Sequence, residues 1–448
     1  MRRLRKLSSC FWVITASSAL VSTAAAQAPK AGGSSAKGIS KPSVGQGRVS
    51  QNQLSDEECR AYAEAVVNAI ESGNRAAFTA QIDWDSLLDT VMVNMDLTDK
   101  QRQELKTGLK SGIDSDTGLT GQLVKNSQQG GKVDFLRTRP NHGRQVILFR
   151  MIRPLKAGGV GYFEFVPERS AGGKIRAVDL YVFSSGEFIS TTLRHALLPV
   201  VADQSRSFLS KLVTGERAYV KDFPKLSNVT ALINEGKMQE ALAVIKGMQP
   251  ETQKLKIILL NRLRAAQSSD EKEYSAVLDD FRNLYPKDPC LDLLLIDYYT
   301  LKKDFPKALE TIDRLDKSVE GDPYLNIIRA GLSEIRGDLT EAARSAGRAM
   351  EQEPTLVPAY FSAVGISMKA GKYDETLSLL KALDQKFHTQ FNDLKTVPQY
   401  AGFVKSPQYP QWLEYLAQKE NPRQVKKSQS KPAVGKNRMR APKAKSKN

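Results

Sequence analysis

One pattern recurs at a fixed spacing through the C-terminal half of the sequence. An interval of 34 residues separates Tyr274 from Ala308, Ala308 from Ala342 and Ala342 from Thr376. Each of these residues is followed by apolar residues four and seven positions later. That spacing places the apolar side chains on one face of an α-helix. A repeat of this length is one helix pair that cannot bury its apolar faces alone, so the pattern predicts a stack of helix pairs.

The repeat resembles that of the tetratricopeptide repeat (TPR) family, whose unit is about 34 residues long. A small residue such as Ala308 or Ala342 then lets the second helix of a pair approach the first, and Pro286 and Pro354 end their helices. The resemblance implies an all-α TPR solenoid over 222–390, with an aromatic C-terminal cap over 391–420 that contains Trp412. The five repeats are expected near 222–254, 255–288, 289–322, 323–356 and 357–390.

TPR proteins bind a segment of a partner on the concave face formed by the first helix of each pair. The inward positions implied by the resemblance are Cys290, Leu293, Asp297 and Thr300, then Tyr324, Ile327, Gly331 and Glu334, then Pro358, Phe361, Gly365 and Met368. The six that we predict as the partner-binding groove are Leu293, Asp297, Tyr324, Ile327, Phe361 and Met368.

The groove so predicted is largely apolar. The Lys and Asn residues of the family's peptide-carboxylate clamp are replaced at the corresponding positions, so an apolar or amphipathic partner segment is expected. The alternative is that part of the row packs on neighbouring helices or on the protein's own N-terminal domain, because apolar residues at helical spacing commonly form core.

Residues 55–190 are predicted to form an α+β domain. Capping boxes at 55–58 and 98–101 begin two helices, and further helices are expected near 74–82, 86–93 and 117–126. Four runs rich in Val, Ile, Phe and Tyr follow, separated by turn residues, at 132–139, 144–153, 159–167 and 174–183. They predict a four-stranded antiparallel meander. A connecting segment over 191–221 should hold a long helix, near 191–213, kinked at Pro199.

The order of these elements resembles the cone-shaped roll of nuclear-transport-factor-like and ketosteroid-isomerase-like domains. Some members of that group are enzymes with an Asp base in an apolar cone, and others only bind. Asp83, Asp85 and Asp89, around Trp84, are the nearest carboxylate cluster. Asp is favoured at helix starts, so we interpret the cluster as a solvated first turn rather than a catalytic site.

Both ends of the chain are predicted to lie outside the folded body. A basic start, an apolar run from Phe11 to Val21 and Ala24–Ala26 are typical of a secretory signal peptide over 1–26, too short to cross a bilayer comfortably. Residues 27–54 have almost nothing to bury and predict a disordered linker. Residues 421–448 carry ten Lys or Arg and no acid, which predicts a basic disordered tail.

The formal charge of +17 comes from these ends. Removing four positive charges in the signal peptide, four in the linker and ten in the tail leaves −1 for residues 55–420. A nucleic-acid partner is therefore not expected, since such proteins carry positive charge on a folded surface or beside stacking aromatics. Two interpretations stay open for the tail: attachment to an anionic surface such as phospholipid head groups, cell-wall polymer or an acidic partner, or a solubilising extension.

No cofactor or metal is expected. Cys59 and Cys290 lie in different predicted domains and are interpreted as buried thiols, and the three His residues are far apart in the sequence. The glycine pairs precede strands and lack the Gly-Lys-Ser/Thr of a phosphate loop.

We therefore predict a non-catalytic, exported bacterial adaptor, periplasmic or secreted, that binds a protein or peptide in its groove and has no transmembrane segment after signal cleavage. Two alternatives remain open. One is an enzyme or small-molecule binder with its site in the α+β domain, for which a deep cone lined by a buried Asp or Tyr would be evidence. The other is a structural envelope protein that self-assembles through the groove.

Overall fold

The computed structural model describes residues 54–420 except positions 117, 142, 155–157, 171, 205, 268–269 and 287. The predicted signal peptide, linker and basic tail lie outside the described residues, apart from Leu54. That residue is buried in the N-terminal core, so the core begins at the last position of the predicted linker. The chain divides into two compact units, one ending at Asp322 and the other beginning at Pro323. This boundary lies within the predicted repeat array.

The first unit opens with five helices. They are α1 (Asp56–Glu71), α2 (Arg75–Thr79), α3 (Trp84–Val91), α4 (Asp99–Ile113) and α5 (Leu119–Gln128). Both predicted capping boxes are present: the hydroxyl of Ser55 accepts from the N–H of Glu58, and that of Thr98 from Gln101. Each cap satisfies backbone donors that the first helical turn leaves unpaired.

An antiparallel sheet follows, with its strands in the order β1-β2-β3-β4-β5. The strands are β1 (Lys132–Asn141), β2 (Arg144–Ile152), β3 (Val160–Arg169), β4 (Ile175–Val182) and β5 (Glu187–Phe188). The four predicted strands are confirmed. The count of four was wrong, because the two-residue β5 pairs Phe188 with Tyr181 of β4. A strand so short has no alternating pattern by which a sequence could reveal it.

The two faces of the sheet have different contents. The inner face belongs to one apolar cluster with α1–α6 and is formed by Ile147, Phe149, Met151, Phe163, Phe165, Leu180 and Val182. The rings of Phe149 and Phe165 are 4.8 Å apart, and Phe78 of α2 contacts Phe165 at 6.4 Å. The outer face carries polar and charged side chains as well, and they define the site described below.

The connection out of the sheet is helical over its described residues up to Lys211. The described parts are α6 (Ile189–Gln204) and α7 (Arg206–Lys211), and position 205 between them lies outside the described residues. Pro199 lies inside α6, where it removes only one backbone hydrogen bond. Leu198 and Val201, on either side of it, are buried in the core and hold the helix across that position.

Helices make up the rest of the described chain. In the first unit they are α8 (Thr214–Asn234), α9 (Met238–Lys246), α10 (Pro250–Gln253), α11 (Lys256–Gln267), α12 (Glu271–Leu284), α13 (Pro289–Leu301) and α14 (Phe305–Ser318). Consecutive long helices pack in pairs, α8 with α9, α11 with α12 and α13 with α14. Ala308 is fully buried, as its small size at the predicted helix contact requires.

The second unit contains α15 (Pro323–Arg336), α16 (Leu339–Gln352), α17 (Val357–Lys369), α18 (Tyr373–Phe387), α19 (Ala401–Val404) and α20 (Tyr409–Glu420), with short 3₁₀ turns at Leu394–Thr396 and Pro398–Tyr400. Ala342 and Ala346 are buried against Ala330 and Ala363. Trp412 is buried in the C-terminal aromatic cluster.

The helices keep the spacing found in the sequence. α13, α15 and α17 begin at positions 289, 323 and 357, and α12, α14, α16 and α18 begin at 271, 305, 339 and 373. Both series advance by 34 residues, the interval that separates Tyr274, Ala308 and Ala342. Within the described ranges, none of the helices combines the length and the apolar character that crossing a membrane requires.

Candidate functional site

The six predicted groove residues lie on three helices. Leu293 and Asp297 are on α13 of the first unit, where both are buried, with exposed fractions of 4% and 8%. Tyr324 and Ile327 are on α15, and Phe361 and Met368 are on α17, all in the second unit. Tyr324 is buried, whereas Ile327, Phe361 and Met368 are half-buried. Phe361 and Met368 pack against the same aromatic cluster as Trp412.

The start of α13 is covered by the protein's own sheet. The Cys290 thiol donates a hydrogen bond to the carbonyl of Ser184, 3.2 Å away, just after β4. Cys290 and Cys59 are both buried free thiols, as predicted. The contact supports the alternative that the first part of the inward row, at least at Cys290, faces the N-terminal domain.

An outer-face arginine of the sheet forms a buried charge cluster. Arg150 of β2 is 1% exposed and donates to Asp134 at 2.7 Å and to Asp322 at 2.6 Å. The hydroxyl of Tyr162, on β3, donates to the other oxygen of Asp322 at 2.7 Å. Burial, followed by the negative charge of Asp322, raises the pKa of Tyr162 well above its ordinary value. Each buried charge is therefore paired, as a low-dielectric environment requires.

A second aspartate is held in the same way. Asp288 caps α13 by accepting from the N–H of Cys290 at 2.9 Å, and it also accepts from the hydroxyl of Tyr181 at 3.2 Å. Lys256 of α11 forms an ion pair with Asp288 and donates to the carbonyl of Gly186 at 2.5 Å. Gly186 has a φ of +65°, and a Cβ there would lie 2.7 Å from the Asp288 carboxylate, so only glycine fits this turn.

These two aspartates share a position in the repeat. Asp288 and Asp322 are one repeat apart, and each precedes a proline, at 289 and 323. Leu356 occupies the next equivalent position. This recurrence was readable in the sequence, but we did not predict a role for it, because nothing in a periodic pattern shows which strand residues will face the repeat turns.

Two arginines of β1 contact the chain at the end of α14. Arg137 donates to the carbonyls of Glu320 and Gly321, and Arg139 donates to the carbonyl of Ser318. At Ser318 the positive charge of Arg139 is also stabilised because the last carbonyls of a helix carry partial negative charge. The outer face of the sheet thus contacts the first unit's repeat turns through hydrogen bonds and ion pairs.

Asp297 is the one predicted groove residue with an unusual environment. Its Oδ2 atom is buried and has no hydrogen-bond partner among the described residues. Burial raises the pKa of its carboxyl well above the ordinary value. A buried polar atom without a partner costs about 1–3 kcal/mol.

The carboxylate cluster of the N-terminal domain has ordinary structural roles. Asp83 caps α3 by accepting from the N–H of Ser86 at 3.2 Å. Lys106 of α4 forms ion pairs with Asp85 at 3.6 Å and with Asp89 at 2.9 Å. The inner face of the sheet nearby is lined with apolar side chains that pack in one cluster.

Asp179 of β4 is another buried carboxylate of the sheet. It accepts from the hydroxyl and the N–H of Ser190 and from the N–H of Leu180. Burial raises the pKa of Asp179. Its bonds to Ser190 fix the start of α6, which is a structural role.

The second unit presents two helix-interior glycines at equivalent positions. Gly331 lies on α15 and Gly365 on α17, and a Cβ added at either one would meet nothing within 4 Å. Both are half-exposed. Nearby, Lys369 forms an ion pair with Glu334, which joins the ends of the same two helices.

The described residues contain no group of three or more His, Cys, Asp or Glu side chains placed to hold a metal ion. Comparison of the chain with protein-family models, with curated proteins and with solved structures found no match. The resemblances to TPR and nuclear-transport-factor-like proteins therefore stay predictions from the sequence.

Proposed function

We propose that this protein is a non-catalytic adaptor whose helix pairs are TPR-like and whose second unit binds an apolar or amphipathic segment of a partner protein. The observation that carries the proposal is the row formed by Ile327, Gly331, Phe361, Gly365 and Met368 on α15 and α17. These are among the inward positions that the TPR resemblance implies, and all five are half-buried.

The two glycines support an external partner. Glycine in a helix interior costs about 1 kcal/mol relative to alanine. The protein's own packing does not require glycine at positions 331 and 365, because a Cβ added at either would enter open space. Gly347 on α16 has the same open space. Gly331 and Gly365 differ from it because they lie in the row of implied inward positions, where a partner backbone that approaches closely would require glycine.

The apolar neighbours support the same conclusion. Phe361 and Met368 are anchored on the aromatic cluster while part of each side chain stays exposed. Side chains held rigidly by packing lose little entropy on binding, so they suit the recognition of an apolar segment. The proposed row leaves out three of the six predicted groove residues, Leu293, Asp297 and Tyr324, because all three are buried.

The filled inner face of the sheet favours the adaptor over the enzyme alternative. A catalytic cone would expose polar groups to a cavity, whereas Phe149, Phe165 and Phe78 fill this space. Export to the periplasm or beyond, and contact of the basic tail with an anionic surface, are parts of the proposal that depend on the sequence alone.

The test uses the glycines to block the groove without disturbing the fold. Gly331→Gln and Gly365→Gln together place two long side chains over α15 and α17 and should not destabilise either helix, since glutamine is the better helix former. The matched control is Gly347→Gln on α16, where an added Cβ also meets nothing within 4 Å.

The measurement is affinity capture from extracts of the native cell with the full chain. A partner held by wild type and by Gly347→Gln, but lost by the double variant, would support the groove. Retention of every partner by the double variant would refute it. Capture of the chain itself, with a concentration-dependent mass in light scattering, would instead support the self-assembly alternative.

A further inference from the structure

A cleft in the first unit lies between α11, α12 and α13 and has a volume of about 320 Å³. Its polar lining consists of Asp270, Glu271, Tyr274, Tyr298 and Lys302, together with one glutamine, and a leucine completes it. This volume is near the lower end of the range for small-ligand pockets, about 300–1,000 Å³. It suits one side chain or one small molecule.

Two tyrosine rings form the aromatic part of the lining. The ring centroids of Tyr274 and Tyr298 are 5.6 Å apart, with their planes inclined by 40°. The Tyr298 hydroxyl is 2.9 Å from the Oγ atom of Ser275, which fixes the orientation of its ring. The Nζ atom of Lys302 lies 5.8 Å from the Tyr298 centroid, within the range of a cation–π contact.

The charged side chains of the cleft carry −1 in total. Lys302 forms an ion pair with Glu271. Asp270 is the N-cap of α12, and its Oδ1 atom accepts from the N–H of Glu273 at 2.9 Å, so the helix start holds its carboxylate in place. A fixed carboxylate and two tyrosine rings that line the same cleft attract a cation, because the ring faces are also negative.

We propose that this cleft binds a cationic side chain, the lysine or arginine of a basic partner peptide. The charge complementarity selects this occupant over an anionic one, which Asp270 and both ring faces would repel. The cleft's preference for a cation is already seen at Lys302, whose ammonium group lies over the Tyr298 ring and forms an ion pair with Glu271. The cleft shares no residue with the α15–α17 groove, and failure of either proposal leaves the other intact.

The probes are N-acetyl-arginine methylamide and N-acetyl-lysine methylamide, with N-acetyl-norleucine methylamide as the uncharged control of similar length. The readout is the aromatic NMR spectrum of the full chain labelled on tyrosine. We expect the two basic probes to shift the ring signals of Tyr274 and Tyr298 saturably, at millimolar concentrations, and norleucine to shift them much less. Equal shifts with norleucine would overturn the proposal.

Three variants test whether the basic probes bind in this cleft. Asp270→Asn keeps a good helix cap but removes the charge, and should weaken binding of the basic probes about fivefold. Asp304→Asn is the matched control, because Asp304 caps α14 in the same way, at the equivalent position of the next repeat, and does not line the cleft. Lys302→Met removes the competing ammonium and should strengthen binding several-fold. Equal affinity of the two Asn variants, or weaker binding by Lys302→Met, would refute the assignment.

Discussion

The buried carboxylate of Asp297 lowers the stability of the folded protein at neutral pH. The side chain is buried on α13, and its Oδ2 atom lacks a partner among the described residues. Burial favours the neutral form, so the pKa of Asp297 is raised in the folded state. The folded state therefore binds a proton more tightly than the unfolded state does, and stability contributed by this group is lost as the pH rises from about 4 through the folded-state pKa.

Replacing Asp297 should accordingly stabilise the protein at neutral pH. Asp297→Leu removes the buried carboxyl and improves helix propensity, so the free energy of unfolding at pH 7 should rise by about 1–3 kcal/mol. Urea unfolding at pH 7 and pH 5 measures this, and the advantage of the variant should shrink at the lower pH. Asp297→Asn, which keeps the shape, should also remove the pH dependence. A less stable Leu variant at pH 7 would show that the carboxylate has a favourable contact.

At the scale of elements, the strands and helices were predictable where short-range patterns specify them. The hairpins follow from turn residues, and the helix pairs follow from apolar residues repeated at one fixed interval. The short β5 and α10 could not be predicted, because neither is long enough to show a period. The kink at Pro199 stays a prediction: the proline lies inside α6, with buried residues on both sides of it.

The contacts between the sheet and the repeat turns were also beyond sequence reasoning. Tyr162 and Asp322 are 160 residues apart, and Tyr181 and Asp288 are 107 apart. Pairing over such distances follows from how elements pack and leaves no local pattern. For the same reason the sequence could not show that Leu293, a predicted groove residue, is buried within the first unit.

The sheet-to-turn contact at Asp322 should be among the most sensitive to mutation. Asp322→Ala leaves the buried Arg150 and Tyr162 without this acceptor, which should lower the free energy of unfolding by about 3–5 kcal/mol. The control is Glu310→Ala on α14, where an exposed ion pair with Arg314 is removed and about 0.5 kcal/mol or less should be lost. Chemical denaturation measures both. Similar small losses in the two variants would show that the Arg150 cluster contributes little.

At the scale of the whole molecule, the first unit joins the predicted α+β domain to the first helix pairs. Besides Arg150, the outer face of the sheet buries Leu148 and Phe183, and neither belongs to the cluster that fills the inner face. A sheet of which both faces are buried needs a covering layer on each side. The helices up to Asp322 supply that layer for the outer face, so residues 55–190 should not behave as an autonomous domain.

A pair of fragments tests this dependence. Residues 54–213 contain the inner core but leave the outer face of the sheet in water, whereas residues 54–322 keep it covered. The shorter fragment loses the burial of Leu148 and Phe183 and the ion pair of Arg150 with Asp322. We expect it to melt at least about 10 °C below the longer one, or to associate, since about 1 kcal/mol corresponds to 2–4 °C in a protein of this size. Calorimetry with light scattering distinguishes the two results. Equal melting of a monomeric short fragment would mean that the repeat turns merely contact the sheet, and the two parts would then have to be treated as separate folding units.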